Sequence, residues 1–218
     1  MRKRAGSRPW WRNVWFSMRG LMILVLAIGS GTGGMILFVR QARAQHANVR
    51  AIEKAGGWVD YDSWTRGWRP RWSEWLVDNI GIDYFDHPVS VSIDDSRIPL
   101  PQVSEAVLVH IEHLHDLELL DLSGTRVPDS WLEHLQGLGK LRILGLNRTP
   151  VSDSGLERIR ELGNLQTLFL FGTQVTDGGL VHLRDLAHLR GVDLRGTEVT
   201  ESGVRGLQQV LPKALISH

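Results

Sequence analysis

Leu117-Glu-Leu-Leu-Asp-Leu122 returns three times at an interval of 24 residues, as Leu141-Arg-Ile-Leu-Gly-Leu146, Leu165-Gln-Thr-Leu-Phe-Leu170 and Leu189-Arg-Gly-Val-Asp-Leu194. The rest of each unit keeps phase with it. Thr125, Thr149, Thr173 and Thr197 follow at one position, and Val127, Val151, Val175 and Val199 at the next apolar one. A second apolar stretch opens with Leu132, Leu156, Leu180 and Val204. It continues through Leu135, Ile159, Leu183 and Leu207 to Leu138, Leu162, Leu186 and Val210. One unit therefore reads LxxLxLxxTxVxDxGLxxLxxLxx. Self-similarity at a fixed period of this length marks stacked supersecondary units that share one continuous core.

Two shorter periods inside the unit set its local structure. Apolar residues two apart at LxL call for a short strand with one face buried, and apolar residues three apart at LxxLxxL call for a helix on the same core. The repeated Thr is expected to satisfy the backbone of a neighbouring coil through its hydroxyl. Ser152-Asp153, Thr176-Asp177 and Thr200-Glu201 stand where each helix begins, with hydroxyls to cap free N–H groups and acids to complement the dipole. They read as structural, not catalytic. An irregular first coil precedes the four. Val103, Leu108, Ile111 and Leu114 fit its helical half and residues 89–93 its strand, with a five-residue insertion around residues 94–101. At the other end Ile216 falls on the strand phase of Val192, so a truncated strand closes the array.

Outside the repeat the charge is uneven. Residues 1–54 hold ten Lys or Arg against the single acid Glu53, whereas residues 55–218 hold fifteen against twenty-three acids. A uniformly basic nucleic-acid binder does not fit that split. The absence of Cys removes disulfides, thiolate metal sites and a cysteine nucleophile. Residues 20–39 carry no charge, and as a helix they would be about 30 Å long, the thickness of a bilayer's hydrocarbon core. Residues 1–19 form a basic head in which Trp10, Trp11 and Trp15 lie among Arg2, Lys3, Arg4, Arg8, Arg12 and Arg19. Beyond the apolar run come Arg40, Arg43 and Arg50. Six basic residues against three place the head inside and the body outside a cytoplasmic membrane. Ala42-Arg43-Ala44 is the competing signal, because an A-x-A site would release a secreted chain after Ala44. Gly29 and Gly33 form a GxxxG pair, the spacing for a weak homodimer through this helix. Residues 40–88 read as a juxtamembrane helix and an N-terminal cap: residues 48–55 helical, Gly56-Gly57 a stop, Trp58-Val-Asp-Tyr61 a strand, residues 73–80 a helix. Trp58, Trp64, Trp68, Trp72 and Trp75 either pack over the first coil or form an aromatic cage.

The LxxLxL signature at Leu117-Glu-Leu-Leu-Asp-Leu122 resembles the leucine-rich repeat family. The usual Asn of that family is Thr in all four copies. Val175-Thr-Asp-Gly-Gly-Leu-Val-His-Leu183 is similar to the TxVTDxGL subtype of bacterial proteins and of F-box substrate receptors, but no F-box stands upstream. The basic head and single span look like bacterial membrane-anchored members. The resemblance implies an α/β solenoid over residues 89–218, with a parallel β-sheet on the concave face and helices on the convex one, and a role in binding protein without chemistry.

Chemistry-bearing clusters support the same expectation. His110, His113 and His115 form HxxHxH, but His110 and His134 fall on one row of helix positions with Arg158 and His182, so the imidazoles are expected to be solvated and not to share a metal. No GxSxG, Walker A, HExxH or EF-hand pattern occurs, and neither catalytic residue nor cofactor is expected. The candidate site is the concave face, where residues flanking the inward leucines point outward: Asp121, Asn147, Phe169, Phe171, Asp193 and Arg195. Phe169 and Phe171 give an apolar centre and Asp193 and Arg195 a charged rim, the composition of a protein-binding hot spot. Two rings that pack on each other and on Ile143, stiffening the sheet, are the competing reading. Six strands would make a face about 25 Å across, the size for a peptide or one small domain. An envelope scaffold without a specific ligand remains the alternative role.

Overall fold

The computed structural model describes residues 31–61, 87–93 and 103–218. Outside them lie the basic head, the first part of the proposed span with Gly29, the cap residues Trp64, Trp68, Trp72 and Trp75, the helix expected over residues 73–80 and the insertion near residues 94–101. The chain divides into two compact units, Met1–Arg43 and Ala44–His218. Helix α1 covers Gly31–Lys54, so it begins well before the helix expected over residues 48–55 and contains Ala42-Arg43-Ala44. Among the described residues no helix is long and apolar enough to cross a membrane.

The stop at Gly56-Gly57 has a specific geometry. Gly56 takes φ 89°. Its N–H donates to the Glu53 carbonyl at 3.0 Å and the Gly57 N–H to the Ile52 carbonyl at 3.0 Å, the paired bonds of a Schellman cap. Chain reversal there lets Val49 and Ile52, one helical turn apart, join the core with Val59 and Tyr61 of β1 (Trp58–Tyr61). Trp58 itself is half exposed.

Seven strands follow one another in sequence order in one sheet. They are β1, β2 (Pro88–Ser92), β3 (Leu119–Asp121), β4 (Ile143–Gly145), β5 (Thr167–Phe169), β6 (Gly191–Asp193) and β7 (Leu215–Ser217). β1 runs antiparallel to β2, and every later pair is parallel. A single register row, Val91, Leu120, Leu144, Leu168, Val192 and Ile216, crosses the six parallel strands. All but half-buried Ile216 are core residues. The sequence spacing predicts six strands; the antiparallel cap strand β1 makes the seventh.

The opposite layer holds α2 (Glu105–Glu112), α3 (Asp153–Ile159) and α4 (Glu201–Val210), with 3-10 segments at Asp129–Leu135 and Gly179–Leu183. The apolar spacing predicts a helix in every unit. An apolar repeat of three residues matches the three-residue turn of a 3-10 helix better than the 3.6 of an α-helix, and in two coils the tighter form wins.

Two hydrogen-bond ladders fix the coils, and the first differs from the sequence reading. The hydroxyls of Thr125, Thr149, Thr173 and Thr197 donate to the carbonyls of Leu122, Leu146, Leu170 and Leu194 of their own coils, at 2.5, 2.7, 2.8 and 2.6 Å. They therefore close each coil's own turn instead of bridging to a neighbour. The bridge is made one residue earlier by backbone: Gly124, Arg148 and Gly172 donate N–H to the Asn147, Phe171 and Arg195 carbonyls of the next coil. On the helical side Ser152, Thr176 and Thr200 cap as expected, accepting from Ser154, Gly178 and Gly203 N–H groups.

Asp153 and Glu201 stand in the first turns of α3 and α4 as expected, and the aspartates have a further role. Asp153 accepts from the Thr176 N–H at 2.8 Å and hydroxyl at 2.7 Å, and Asp177 accepts likewise from Thr200 at 2.7 and 2.6 Å. Asp129 does the same for Ser152. Each carboxylate thus belongs to the following coil. It occupies the space above Gly155, Gly179 or Gly203, where a Cβ would overlap a carboxylate oxygen. That close approach is the physical reason for the glycine in DxGL. In the first regular coil Trp131 stands at the glycine's phase, behind Glu105 instead of an aspartate.

Candidate partner-binding face

Side chains on the strand-lined face stand in three rows set by register. Ser90, Leu119, Ile143, Thr167, Gly191 and Leu215 form the first, and Ser92, Asp121, Gly145, Phe169, Asp193 and Ser217 the second. Ser123, Asn147, Phe171 and Arg195, two residues further along each coil, form the third. All six expected site residues are on this face, as the alternation with Leu120, Leu144, Leu168 and Val192 requires.

Their side chains are differently occupied. Asp121 accepts the Ser123 N–H at 3.0 Å and lies over Gly145, where a Cβ would overlap its carboxylate. Asn147 accepts the Phe171 N–H at 2.9 Å, while the Asn147 N–H donates to Ser123 Oγ at 3.3 Å. Asp193 receives Arg195 Nε at 2.9 Å and a terminal guanidinium nitrogen at 2.7 Å. Those bonds hold the Asp193 carboxyl below the usual carboxylate range. All four polar or charged residues named from sequence are therefore committed to partners within the array.

Phe169 is the opposite case. It is 37% exposed, with bare Gly145 beside it on one strand and the committed Asp193 on the other. Phe171 is half-buried and lies between two guanidiniums, Arg148 at 5.3 Å from the ring centroid and Arg195 at 6.0 Å. A Cβ at Gly196 would meet its ring edge at 3.4 Å. Guanidiniums from the coils before and after therefore stand over the Phe171 ring, and Phe169 is left exposed.

Arg148 is the residue missed from sequence. It has φ 55°, and the corresponding residues of the other coils are Gly124, Gly172 and Gly196 at φ 75°, 67° and 69°. A side chain in this left-handed region costs roughly 1–2 kcal/mol. A visible signal existed: Asn147-Arg-Thr149 interrupts Ser123-Gly-Thr125, Phe171-Gly-Thr173 and Arg195-Gly-Thr197.

The histidines need a correction. His134 is only 17% exposed, its Nδ1 lies 2.6 Å from Glu112 and its Nε2 3.6 Å from Glu105. His110 hydrogen bonds Asn48 of α1 at 3.0 Å. Neither is merely solvated, because helices of adjacent coils bring acids and amides onto the same row. Among the described residues no group of three His, Asp or Glu could hold a metal.

In-register parallel strands, one per 24-residue coil, with helical segments on the other layer, decide the architecture. The fold is a leucine-rich repeat. No family model and no curated protein matches the chain. Among solved structures, this leucine-rich repeat array is similar to an internalin from Listeria monocytogenes, at 22% identity and TM-score 0.44 over 50% of this chain and 30% of that one. A leucine-rich repeat protein of Leptospira interrogans matches at 25% identity and TM-score 0.39, over 50% of this chain and 27% of that one. The leucine-rich repeat ectodomain of a receptor kinase from Arabidopsis thaliana matches at 13% identity and TM-score 0.47, over 80% and 91%. The chain thus spans less than a third of the length of the two bacterial proteins.

Proposed function

We propose that this chain is a membrane-anchored recognition module of the bacterial envelope, whose concave leucine-rich repeat face holds a protein or peptide. The observation that carries the reading is Phe169, a large apolar side chain 37% exposed on the middle of the sheet, where packing gives it no reason to be. Seven strands at about 4.8 Å make a face about 29 Å across, still the scale of a peptide or one small domain. Exposed aromatics framed by satisfied polar groups are the usual composition of a binding centre. Capture of partners by the full chain tests this. Phe169→Ala with Phe171→Ala should weaken capture by at least about 2 kcal/mol with the fold kept. Equal capture by the folded double variant removes the face from consideration and leaves the scaffold reading.

Anchoring is the second half of the proposal. Its support is the uncharged run over residues 20–39 and the six-to-three excess of basic residues before it. Residues 1–19 are placed inside, the repeat array outside the cytoplasmic membrane, and the helix is retained, not cleaved. Protease added to intact spheroplasts should digest the array. Full protection overturns the orientation, and a soluble chain beginning at Gln45 replaces the anchor with secretion.

A further inference from the structure

We propose that the peptide feature read by this face is a carboxylate next to an apolar side chain, the carboxylate received by Arg148 and the apolar group by Phe169. This rests on the concave-face reading and names the partner's chemistry.

Charge bookkeeping on the face points to one cation. Arg195 and Asp193 neutralise each other through two hydrogen bonds. Asp121 is held by its own coil's backbone and Asn147 by the Phe171 N–H of the next coil. Arg148, by contrast, has no carboxylate partner among the described residues, and its one described ring contact is Phe171. Its stem passes over Gly172, which a Cβ would bring to 3.7 Å from Arg148 Cγ. Stem and ring together hold the guanidinium before any ligand arrives. The Arg148 Cζ lies over the Phe171 ring at 5.3 Å from its centroid, no carboxylate among the described residues takes its N–H groups, and that fork of donors matches the two oxygens of a carboxylate. Exposed Phe169 is the register partner of Gly145 on β4, three residues before Arg148 in the same coil. A ligand reaching both therefore needs an acid and an apolar group close together in sequence.

A phosphate fits less well. Doubly charged groups are usually held by several cations, and here the second guanidinium is already neutralised while the Asp193 carboxylate stands beside it as a repelling charge. An acidic peptide is the occupant that matches one free guanidinium and one bare ring.

The backbone supplies a clean variant. Arg148→Gly removes the charge and restores the residue that the other three coils carry at this phase, so the array should fold. Random peptides displayed on phage would be selected against the full chain in lipid nanodiscs, as wild type, Arg148→Gly, and Phe169→Ala with Phe171→Ala. Wild type should enrich Asp or Glu within two residues of an apolar side chain. Arg148→Gly should lose the acidic enrichment and keep the apolar one. A winning peptide should bind at least tenfold more weakly to Arg148→Gly, and its own Glu→Gln or Asp→Asn change should cost nothing further in that variant. Acidic enrichment that survives Arg148→Gly, peptides selected without acids, or competition by inorganic phosphate or anionic lipid vesicles in place of peptide would overturn the inference alone. Selection that ignores the Phe double change, or no selection by wild type, would overturn the concave-face reading as well.

Discussion

The two faces of the array repeat to different degrees. On the helical face Asp129, Asp153 and Asp177 each reach forward to Ser152, Thr176 and Thr200, over Gly155, Gly179 and Gly203. On the strand face the same register row holds Asp121, Gly145, Phe169 and Asp193. A position that must contact the same position in the next coil is constrained by its copies, so it repeats. A position on the strand face has fewer such contacts, with Asp121 over Gly145 as one of them, and its variation is freer to fit something outside. The comparison also locates Arg148, which breaks a repeated position instead of occupying a variable one.

The sharpest way to break this comparison is to cut into the shared core. Leu170 is fully buried beneath the coil that carries Phe169 and Phe171. Leu170→Ala should destabilise by about 2 to 5 kcal/mol through lost transfer energy and the cavity left behind. Because each coil buries its face only against the next, the loss should spread to adjacent coils. Phe169→Ala, one residue away, should change stability by no more than about 0.5 kcal/mol. Chemical denaturation of both variants checks the pair, and equal midpoints would show that the strand faces are assigned the wrong way round.

A smaller effect sharpens the helical-face half. Gly203→Ala places a methyl group against the Asp177 carboxylate and should destabilise by about 1 to 3 kcal/mol. Adding Asp177→Ala removes the obstacle, so the double variant should be more stable than the two single losses predict when added. Strict additivity would mean that the glycine has another reason to be there. The ladder also predicts an acid dependence. Hydrogen bonds from the Thr200 hydroxyl and N–H hold the Asp177 carboxyl below its ordinary value. A carboxyl depressed in the fold contributes stability above its unfolded pKa, about 3.9, and loses it as pH falls through the folded value. The stability gap between wild type and Asp177→Asn should therefore be constant near neutrality and narrow below about pH 4. A gap unchanged in acid would detach the carboxylate from the ladder.

Much of this was legible in the sequence because a 24-residue period fixes phase, and phase fixes which side chains are inward. Val192 against Ile216 and the alternation around Phe169 follow from it directly. What escaped depends on distances that phase does not contain. Phase places a Thr hydroxyl at the turn without saying which carbonyl it takes, and only coordinates show that Thr149 takes Leu146. His134 looked solvated because its helix row is outward, yet the row of the preceding coil supplies Glu112 and Glu105. The Asp ladder and Arg148 were readable and were not read. The first needed the constant offset from Asp153 to Gly179 and from Asp177 to Gly203, and the second needed attention to the coil where glycine is missing.

The finest test concerns that coil. Three of the four equivalent residues are glycine with positive φ, and Arg148 takes φ 55° in the same place. At an ordinary helix or strand position Ala is more stable than Gly, because glycine has more unfolded freedom to lose, by roughly 0.5–1 kcal/mol. In the left-handed region the Cβ penalty of roughly 1–2 kcal/mol opposes and exceeds that difference. Arg148→Gly should consequently be the more stable of the two substitutions, by about 0.5–1 kcal/mol. Against wild type the balance is closer. Removing the side chain relieves the strain but gives up the cation–arene contact with Phe171, about 0.5–1 kcal/mol at an exposed site. Arg148→Gly should then melt within a few degrees of wild type, and Arg148→Ala, which keeps the strain and loses the contact, clearly below both. If Ala proved the better replacement, the strain at this position would be absent in solution, and Arg148 would not be kept there against a backbone cost.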